Sequence, residues 1–334
     1  MLEHGGRLRS AAERYGILLS EWIDLSTGIN PNGWPVPELP ANVWQRLPED
    51  DDELLNAARL YYQNPSLLPV AGSQAAIQTL PLLRPHSRVG VLHPAYAEHA
   101  AGWQRAGHQM VVVDENNIDA SLDQLDVLIL INPNNPTGKL WSRQQLLEWH
   151  QRLKRRGGWL IVDEAFIDPI ADEYSLSALP VRQGLIVLRS IGKFFGLAGI
   201  RCGFVIAETS LLNALQERLG PWAISHPARV VAAMALSDTP WQQATSASLV
   251  QQGLGLRQLL SESGWPPSGG CALFQWIKHE AAEELHEGLA RQGILTRFFD
   301  DPVSLRFGLP TDESAWRRLA QAVVQPEIKR LRAD

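Results

Sequence analysis

LDVLILINPNNPTG, Leu125–Gly138, joins two opposite kinds of sequence. Val127–Ile131 is a short, unbroken run of Val, Ile and Leu with no polar alternation. Such a run reads as a strand covered on both faces, the mark of a parallel sheet layered with helices. It stops at a turn built from prolines, asparagines and a glycine. Open α/β sheets hold their ligands at such strand ends.

Working outward, the same pattern recurs at Val89–Leu92, Met110–Val113, Trp159–Val162 and Leu185–Leu188. Helix-like stretches separate the runs: Ser73–Leu83 follows a glycine, and Ser142–Arg156 starts on a capping serine and ends at Gly157-Gly158. Strand–helix–strand order predicts a mainly parallel sheet with right-handed crossovers. Beyond about residue 205 the rhythm changes. Helical patterns at Leu211–Leu219, Ala228–Leu236 and Gln242–Ser263 precede strand candidates at Ala272–Ile277 and Val303–Phe307 and a final helix near Asp312–Val324. The expected division is a lead-in segment, 1–40, then a large domain, 41–215, and a smaller α+β domain, 216–334.

The 334 residues carry 30 basic and 36 acidic side chains, a net charge of −6, with no clustered basic stripe for nucleic acid. Cys202 and Cys271 form neither a CxxC nor a Cys/His zinc spacing, so no metal is expected and both read as thiols of a reducing compartment. The N-terminus lacks the apolar core of a signal peptide, and no apolar run reaches the roughly 18–20 residues that span a bilayer. The expectation is a soluble cytoplasmic protein without membrane or nucleic-acid partners.

Four constellations fall at strand ends. Asn135, in the NPNNPTG turn, offers an amide suited to a phenolate oxygen, although the turn could be only a turn. Asp163 closes the Trp159–Val162 run, and a carboxylate there costs desolvation unless a cation meets it; the alternative is a helix N-cap. In LRSIGKFFGLAGIRCG, Leu188–Gly203, Ser190, Lys193 and Arg201 follow a strand. A lysine in an apolar setting loses preference for its charge, and its free amine attacks aldehydes. A surface lysine fits poorly there, because Phe194, Phe195 and Leu197 would be exposed with it. Gly72, Ser73 and Gln74 open a helix whose free N–H groups suit phosphate, or are simply a capped helix start.

In this order, NPNNPTG, DEA, SxxK and GLAGxRxG resemble the fold type I pyridoxal-phosphate enzymes, in the branch of the histidinol-phosphate aminotransferases, over nearly the whole chain. The resemblance implies a large α/β domain with a mainly parallel sheet, a smaller α+β domain, pyridoxal 5'-phosphate as cofactor, and a homodimer with sites at the interface. By that resemblance Lys193 carries the cofactor aldehyde and shuttles a proton, and Asp163 keeps the ring nitrogen protonated. Asn135 bonds the phenolic oxygen and Tyr96 stacks on the ring. Gly72, Ser73, Gln74, Ser190 and Arg201 hold the phosphate, and Arg306, in SLRFG, meets the substrate's anionic end.

HGG at His4, Gly5 and Gly6, DLSTGINPNG with Asn30, DEAFID and GPWAISHPA are similar to the threonine-phosphate decarboxylases of cobalamin synthesis. That likeness implies loss of CO₂ from L-threonine O-3-phosphate, giving (R)-1-amino-2-propanol O-2-phosphate, with His4, the glycine N–H groups, Asn30, Arg297 and Arg306 reading a small phosphorylated amino acid. Transamination of histidinol phosphate is the competing expectation.

Three positions depart from the pattern. Phe166 stands where a tyrosine is usual, Gly192 where a hydroxyl residue precedes the lysine, and Leu47-Pro48 where a Tyr-Pro pair reaches the partner's phosphate site. Ser190–Lys193 also fits the S-x-x-K pattern of serine acylases, but no KTG element accompanies it. A cofactor-holding regulator is a third class, expected to carry a DNA-binding domain for which the chain ahead of the first motif leaves little room.

Overall fold

Each of the five apolar runs forms a strand: Arg88–Leu92, Gln109–Val113, Val127–Ile131, Trp159–Asp163 and Leu185–Ser190. In the computed structural model, which describes residues 4–170, 172–325 and 328, these five pair in parallel. Their spatial order is Leu185–Ser190, Trp159–Asp163, Val127–Ile131, Arg88–Leu92, Gln109–Val113. Two strands that the sequence does not announce widen the sheet. Gly203–Ile206 runs antiparallel beside Leu185–Ser190, and Leu67–Val70 lies antiparallel to that strand at the edge. The edge position accommodates Pro69, which has no N–H to give to a further neighbour.

Helices cover the sheet because its strands are apolar on both sides. Val89, Val127, Ile129, Ile161, Ile186, Leu188 and Val205 form one core with Ala76, Ile77, Leu80, Trp103, Leu212 and Leu215. Burying each large aliphatic side chain is worth about 1.5–3 kcal/mol. The Arg143–Lys154 helix begins at Ser142 with a full capping box to Gln145. Residues 33–135 and 140–244 make up this compact unit.

The other compact unit joins the described residues up to Asn32, Pro136–Lys139 and those from Thr245 onward. Its sheet is antiparallel, in the order Arg297–Asp300, Val303–Gly308, Phe274–Lys278, Gly269–Cys271. The strand expected at Ala272–Ile277 begins at Phe274, and Ala272-Leu273 turn the chain from a further short strand, Gly269–Cys271, with which it pairs. Ile23–Asp24 pairs in parallel with Ile294–Leu295. Helices Ala282–Ala290 and Glu313–Ala322 bury Leu285, Leu289 and Leu319. Among the described residues no helix is long and apolar enough to cross a membrane.

Candidate active site

The end of the Trp159–Asp163 strand buries a carboxylate. Asp163 is 3% exposed, and its strand neighbours in register are Ile131 and Leu188. One carboxylate oxygen lies 2.9 Å from Nε2 of His99, itself buried, and the other accepts the Ala165 N–H at 3.1 Å. No helix starts here, so Asp163 is not an N-cap. Glu164, which a cap would have placed in a first turn, is wholly buried instead. It accepts Arg189 at 3.0 Å, Ser177 Oγ at 2.9 Å and the Leu176 N–H at 2.6 Å. A second acid of the same connection, Asp168, takes the other arm of Arg189 and the Tyr61 hydroxyl at 2.8 Å. The segment after Asp163 is thereby fastened to the Leu185–Ser190 strand.

Tyr96 and His99 stand one helical turn apart at the start of the Ala97–Arg105 helix, with ring centroids 6.2 Å apart, edge to face. The Tyr96 hydroxyl donates to Gln74 Oε1 at 3.2 Å, and Gln74 Nε2 donates to Glu98 at 2.9 Å. Gln74 therefore spends its side chain on bracing Tyr96. Burial, with help from Glu98 and Asp163, pushes the Tyr96 phenol up to about 12, so it stays protonated at neutral pH. His99 carries no motif of its own. Its signal was its place one turn after Tyr96.

Two of the asparagines in the NPNNPTG turn are structural. Asn132 receives the Trp141 N–H at 2.9 Å, and Asn134 donates to the Pro94 carbonyl at 3.0 Å; both are fully buried. Asn135 is half-buried and follows the Val127–Ile131 strand, which pairs with the strand that ends at Asp163.

Lys193 is half-buried after the Leu185–Ser190 strand, its Nζ 5.5 Å from the centre of the Phe166 ring. Phe194, Phe195 and Leu197 are buried around it, which a surface lysine would not have allowed. Ser190 Oγ accepts the Gly192 N–H at 3.3 Å. A side chain at Gly192 would put its Cβ 3.1 Å from the Ala198 Cα, a tight approach for which Ala198 would have to give by a few tenths of an ångström.

The turn at Gly72 and Ser73 meets Arg201 directly. Gly72 has φ +71°, and a Cβ there would lie 2.8 Å from a guanidinium nitrogen of Arg201. A Cβ at Gly203 would lie 2.7 Å from the Ser73 nitrogen. Both glycines are needed for backbone N–H groups and guanidinium to share one small space. Such a cradle of amide and guanidinium donors fits a phosphate. The buried acid, aromatic face and amine beside it fit the rest of pyridoxal phosphate.

The residues that the sequence reading assigns to the substrate belong to the other unit. Arg297 and Arg306 face each other as direct partners across adjacent antiparallel strands. Like charges so placed are destabilising unless something screens them. Arg306 is buried, stacks over Phe274 and donates to the Ser26 carbonyl at 2.8 Å. Burial and then Arg297 push its guanidinium down to about 10, so it keeps its charge at neutral pH. Asn30 is buried, with Oδ1 accepting the Asn32 N–H at 2.9 Å. His4 is exposed, and the Gly6 N–H is already donated to Ser26 Oγ at 2.7 Å. A groove of about 860 Å³ along the Arg143–Lys154 helix contains none of these side chains.

The model of the family described as aminotransferase class I and II matches residues 22–323. The chain belongs to the class I and II aminotransferase family. Within it, the chain is 55% identical to the threonine-phosphate decarboxylase of Pseudomonas aeruginosa over 97% of its own length and 98% of that protein's. It is 41% identical to a Sinorhizobium threonine-phosphate decarboxylase over 97% and 98%. Among solved structures, the histidinol-phosphate aminotransferase of Sinorhizobium meliloti in complex with pyridoxal-5'-phosphate superposes with a TM-score of 0.86, covering 99% of this chain and 96% of that one at 18% identity. That likeness is one of fold. This member of the aminotransferase family therefore has the expected α/β architecture, and its sequence is more similar to these two decarboxylases than to that structural neighbour.

Proposed function

We propose that this chain decarboxylates L-threonine O-3-phosphate to (R)-1-amino-2-propanol O-2-phosphate, with pyridoxal 5'-phosphate as cofactor, in cobalamin biosynthesis. Likeness to the Pseudomonas relative over the whole chain supports the reaction. The observation that carries the substrate class is the Arg297–Arg306 pair, two cations face to face, one of them buried. A substrate with both a phosphate and a carboxylate would suit two cations so placed.

Pyridoxal phosphate, when bound, supplies an aldehyde that captures amines and a ring that accepts an electron pair. Lys193 would hold that aldehyde through its amine and, once the substrate's amine has replaced it there, would carry at Nζ the proton destined for the substrate carbon. Asp163, held by His99, keeps a proton on the ring nitrogen. Tyr96 covers the ring face, Asn135 donates to its phenolic oxygen, and Gly72, Ser73, Ser190 and Arg201 grip the phosphate, with Gln74 bracing Tyr96. Arg297, Arg306, Asn30 and the His4–Gly6 segment would bind the anionic ends of the substrate and so orient it for loss of its carboxylate rather than its α-hydrogen. Over the whole reaction CO₂ would leave without the bonding electron pair, and a proton held by Lys193 would take its place on the substrate carbon.

We further assign a homodimer in the cytoplasm. The Ala41–Gln45 and Glu53–Tyr61 helices pack on His226–Ser237 and leave Trp44, Leu60 and Met234 exposed, with Leu47 and Trp222 nearby in sequence. Large exposed apolar side chains of this kind suit contact with a second copy.

The test supplies the holoenzyme with L-threonine O-3-phosphate and, separately, with histidinol phosphate plus 2-oxoglutarate. The expected result is CO₂ and aminopropanol phosphate from the first, with no 2-oxo acid needed. Glutamate from the second, with no CO₂ from the first, makes the chain an aminotransferase.

A further inference from the structure

Ser26 lies in the stretch DLSTGINPNG and is 2% exposed, although it is polar and precedes a glycine-rich loop. Every polar group of the residue is engaged within its own unit. Its hydroxyl donates to Asp24 Oδ1 at 2.5 Å and accepts the Gly6 N–H at 2.7 Å. Its N–H donates to the same Asp24 oxygen at 2.9 Å, and its carbonyl accepts Nη2 of Arg306 at 2.8 Å. The residues around it are fixed to the sheet: the Leu25 carbonyl accepts the Gly308 N–H at 2.7 Å, and the Leu25 N–H donates to the Leu295 carbonyl at 2.7 Å. Gly5 rests on the same spot. A Cβ there would lie 2.2 Å from the Ser26 carbonyl oxygen.

One residue thus touches both halves of the anion-reading set, across 20 positions of chain on one side and 280 on the other. The hydroxyl is a donor to Asp24 and an acceptor for Gly6, so the carboxylate fixes its proton and the amide fixes its lone pair. A hydrogen-bond chain that ends on a charge polarises each of its members. The Asp24 carboxylate also opposes the loss of charge on Arg306 that burial and Arg297 cause.

We propose that Ser26 is a positioning residue for anion recognition: oriented by Asp24, it fixes the His4–Gly6 segment onto the carbonyl that holds Arg306. The role rests on the functional reading above for the identity of the substrate, but not for the anion. Through Ser26, a segment near the chain start and an arginine near the chain end become one rigid receptor, and the Gly6 N–H serves to shape that receptor.

Two variants and two readouts test it. In Ser26→Ala holoenzyme, KM for phosphothreonine rises about 10-fold with kcat within about 2-fold and cofactor absorbance unchanged, the loss of one or two hydrogen bonds that act on binding alone. Inorganic phosphate raises the Tm of the wild-type holoenzyme, and the concentration giving half that rise increases by the same factor of about 10 in the variant. Gly5→Ala, which forces the segment off the Ser26 carbonyl without touching the core, behaves alike and serves if Ser26→Ala does not load cofactor. Asp24→Asn, which keeps an oxygen for the hydroxyl but removes the charge, falls between. The phosphate titration needs no turnover, so it reads this role even if phosphothreonine proves not to be decarboxylated. An unchanged phosphate midpoint in both variants, or a fall in kcat with KM unmoved, overturns the proposal. So does a wild-type Tm indifferent to phosphate.

Discussion

Asp163 and Arg306 are both buried charges at the heart of their units, yet their surroundings are opposite in kind. Asp163 has a histidine ring nitrogen on one oxygen and a backbone amide on the other. Arg306 faces another arginine across the strand pair and donates to a neutral carbonyl, that of Ser26. The acid is held in place by the parallel sheet and is already half satisfied. The arginine keeps its charge against both burial and a like charge across the strand pair. On the function proposed above, the first region would suit a resident group and the second a charge that arrives and leaves.

The sharpest way to break that contrast is Lys193→Ala. It abolishes turnover, by about 10⁴-fold or more if the amine is both the attachment point and the proton donor. Borohydride reduction and peptide mapping of the wild type should place the cofactor on Lys193, and label on another lysine removes the assignment. Asp163→Asn comes next. The variant folds and binds cofactor but loses about 100- to 1,000-fold in kcat, because nothing keeps the ring nitrogen charged. Near-normal turnover would mean that the burial of Asp163 is purely structural.

Arg306→Lys probes the other side. It keeps a charge but loses the fork, so KM for phosphothreonine should rise about 10- to 100-fold while kcat moves less. In the wild type the same arginine gives a pH signature. Its guanidinium is depressed to about 10, so its charge is present at neutral pH and lost as pH rises through that value, earlier than for an ordinary arginine. Anion affinity, followed by phosphate-induced Tm shifts, should fall across that window. Folding penalises the charged form of this group, so its own contribution to stability improves over the same rise in pH. The smallest effect is that of His99→Gln, which removes the imidazole beside Asp163: about 10-fold in kcat, with a shifted pH dependence of cofactor absorbance and unchanged phosphate binding. Equal losses on both sides would erase the distinction between the two regions.

Much of the sheet was readable because burial on both faces leaves an unmistakable run of Val, Ile and Leu. Gly203–Ile206 escaped because it is four residues long and follows a glycine-rich loop, and Leu67–Val70 because Pro69 argues against a strand except at an edge. The strand-end residues Asp163, Lys193 and Arg201 announced themselves by being charged where their neighbours are apolar. His99 did not, since a lone histidine on an amphipathic helix looks the same whether it faces an acid or a core. Ser26 was hidden for a different reason: its partners Gly6 and Arg306 are distant in sequence, and no local pattern encodes that meeting. Gln74 was read as a phosphate ligand, and only its bonds to Tyr96 and Glu98 display its bracing role.

The reversed strand Gly203–Ile206 has a consequence for the order in which the protein acquires its chemistry. Ser190 and Gly203 are direct partners in register, so Leu185–Ile206 is a hairpin, and Lys193 and Arg201 ride on its closed loop. A loop this short costs little chain entropy to close, and each doubling of its length would add only about 0.6 kcal/mol. The Lys193 amine and the Arg201 guanidinium can thus come onto one loop while the crossovers that deliver Asp163 and Tyr96 are still unformed. In pulse-labelling hydrogen exchange, amides of this hairpin should gain protection ahead of those pairing Val127–Ile131 with Trp159–Asp163, so that, on the proposed function, a nascent chain would own part of its cofactor grip before it owns a domain.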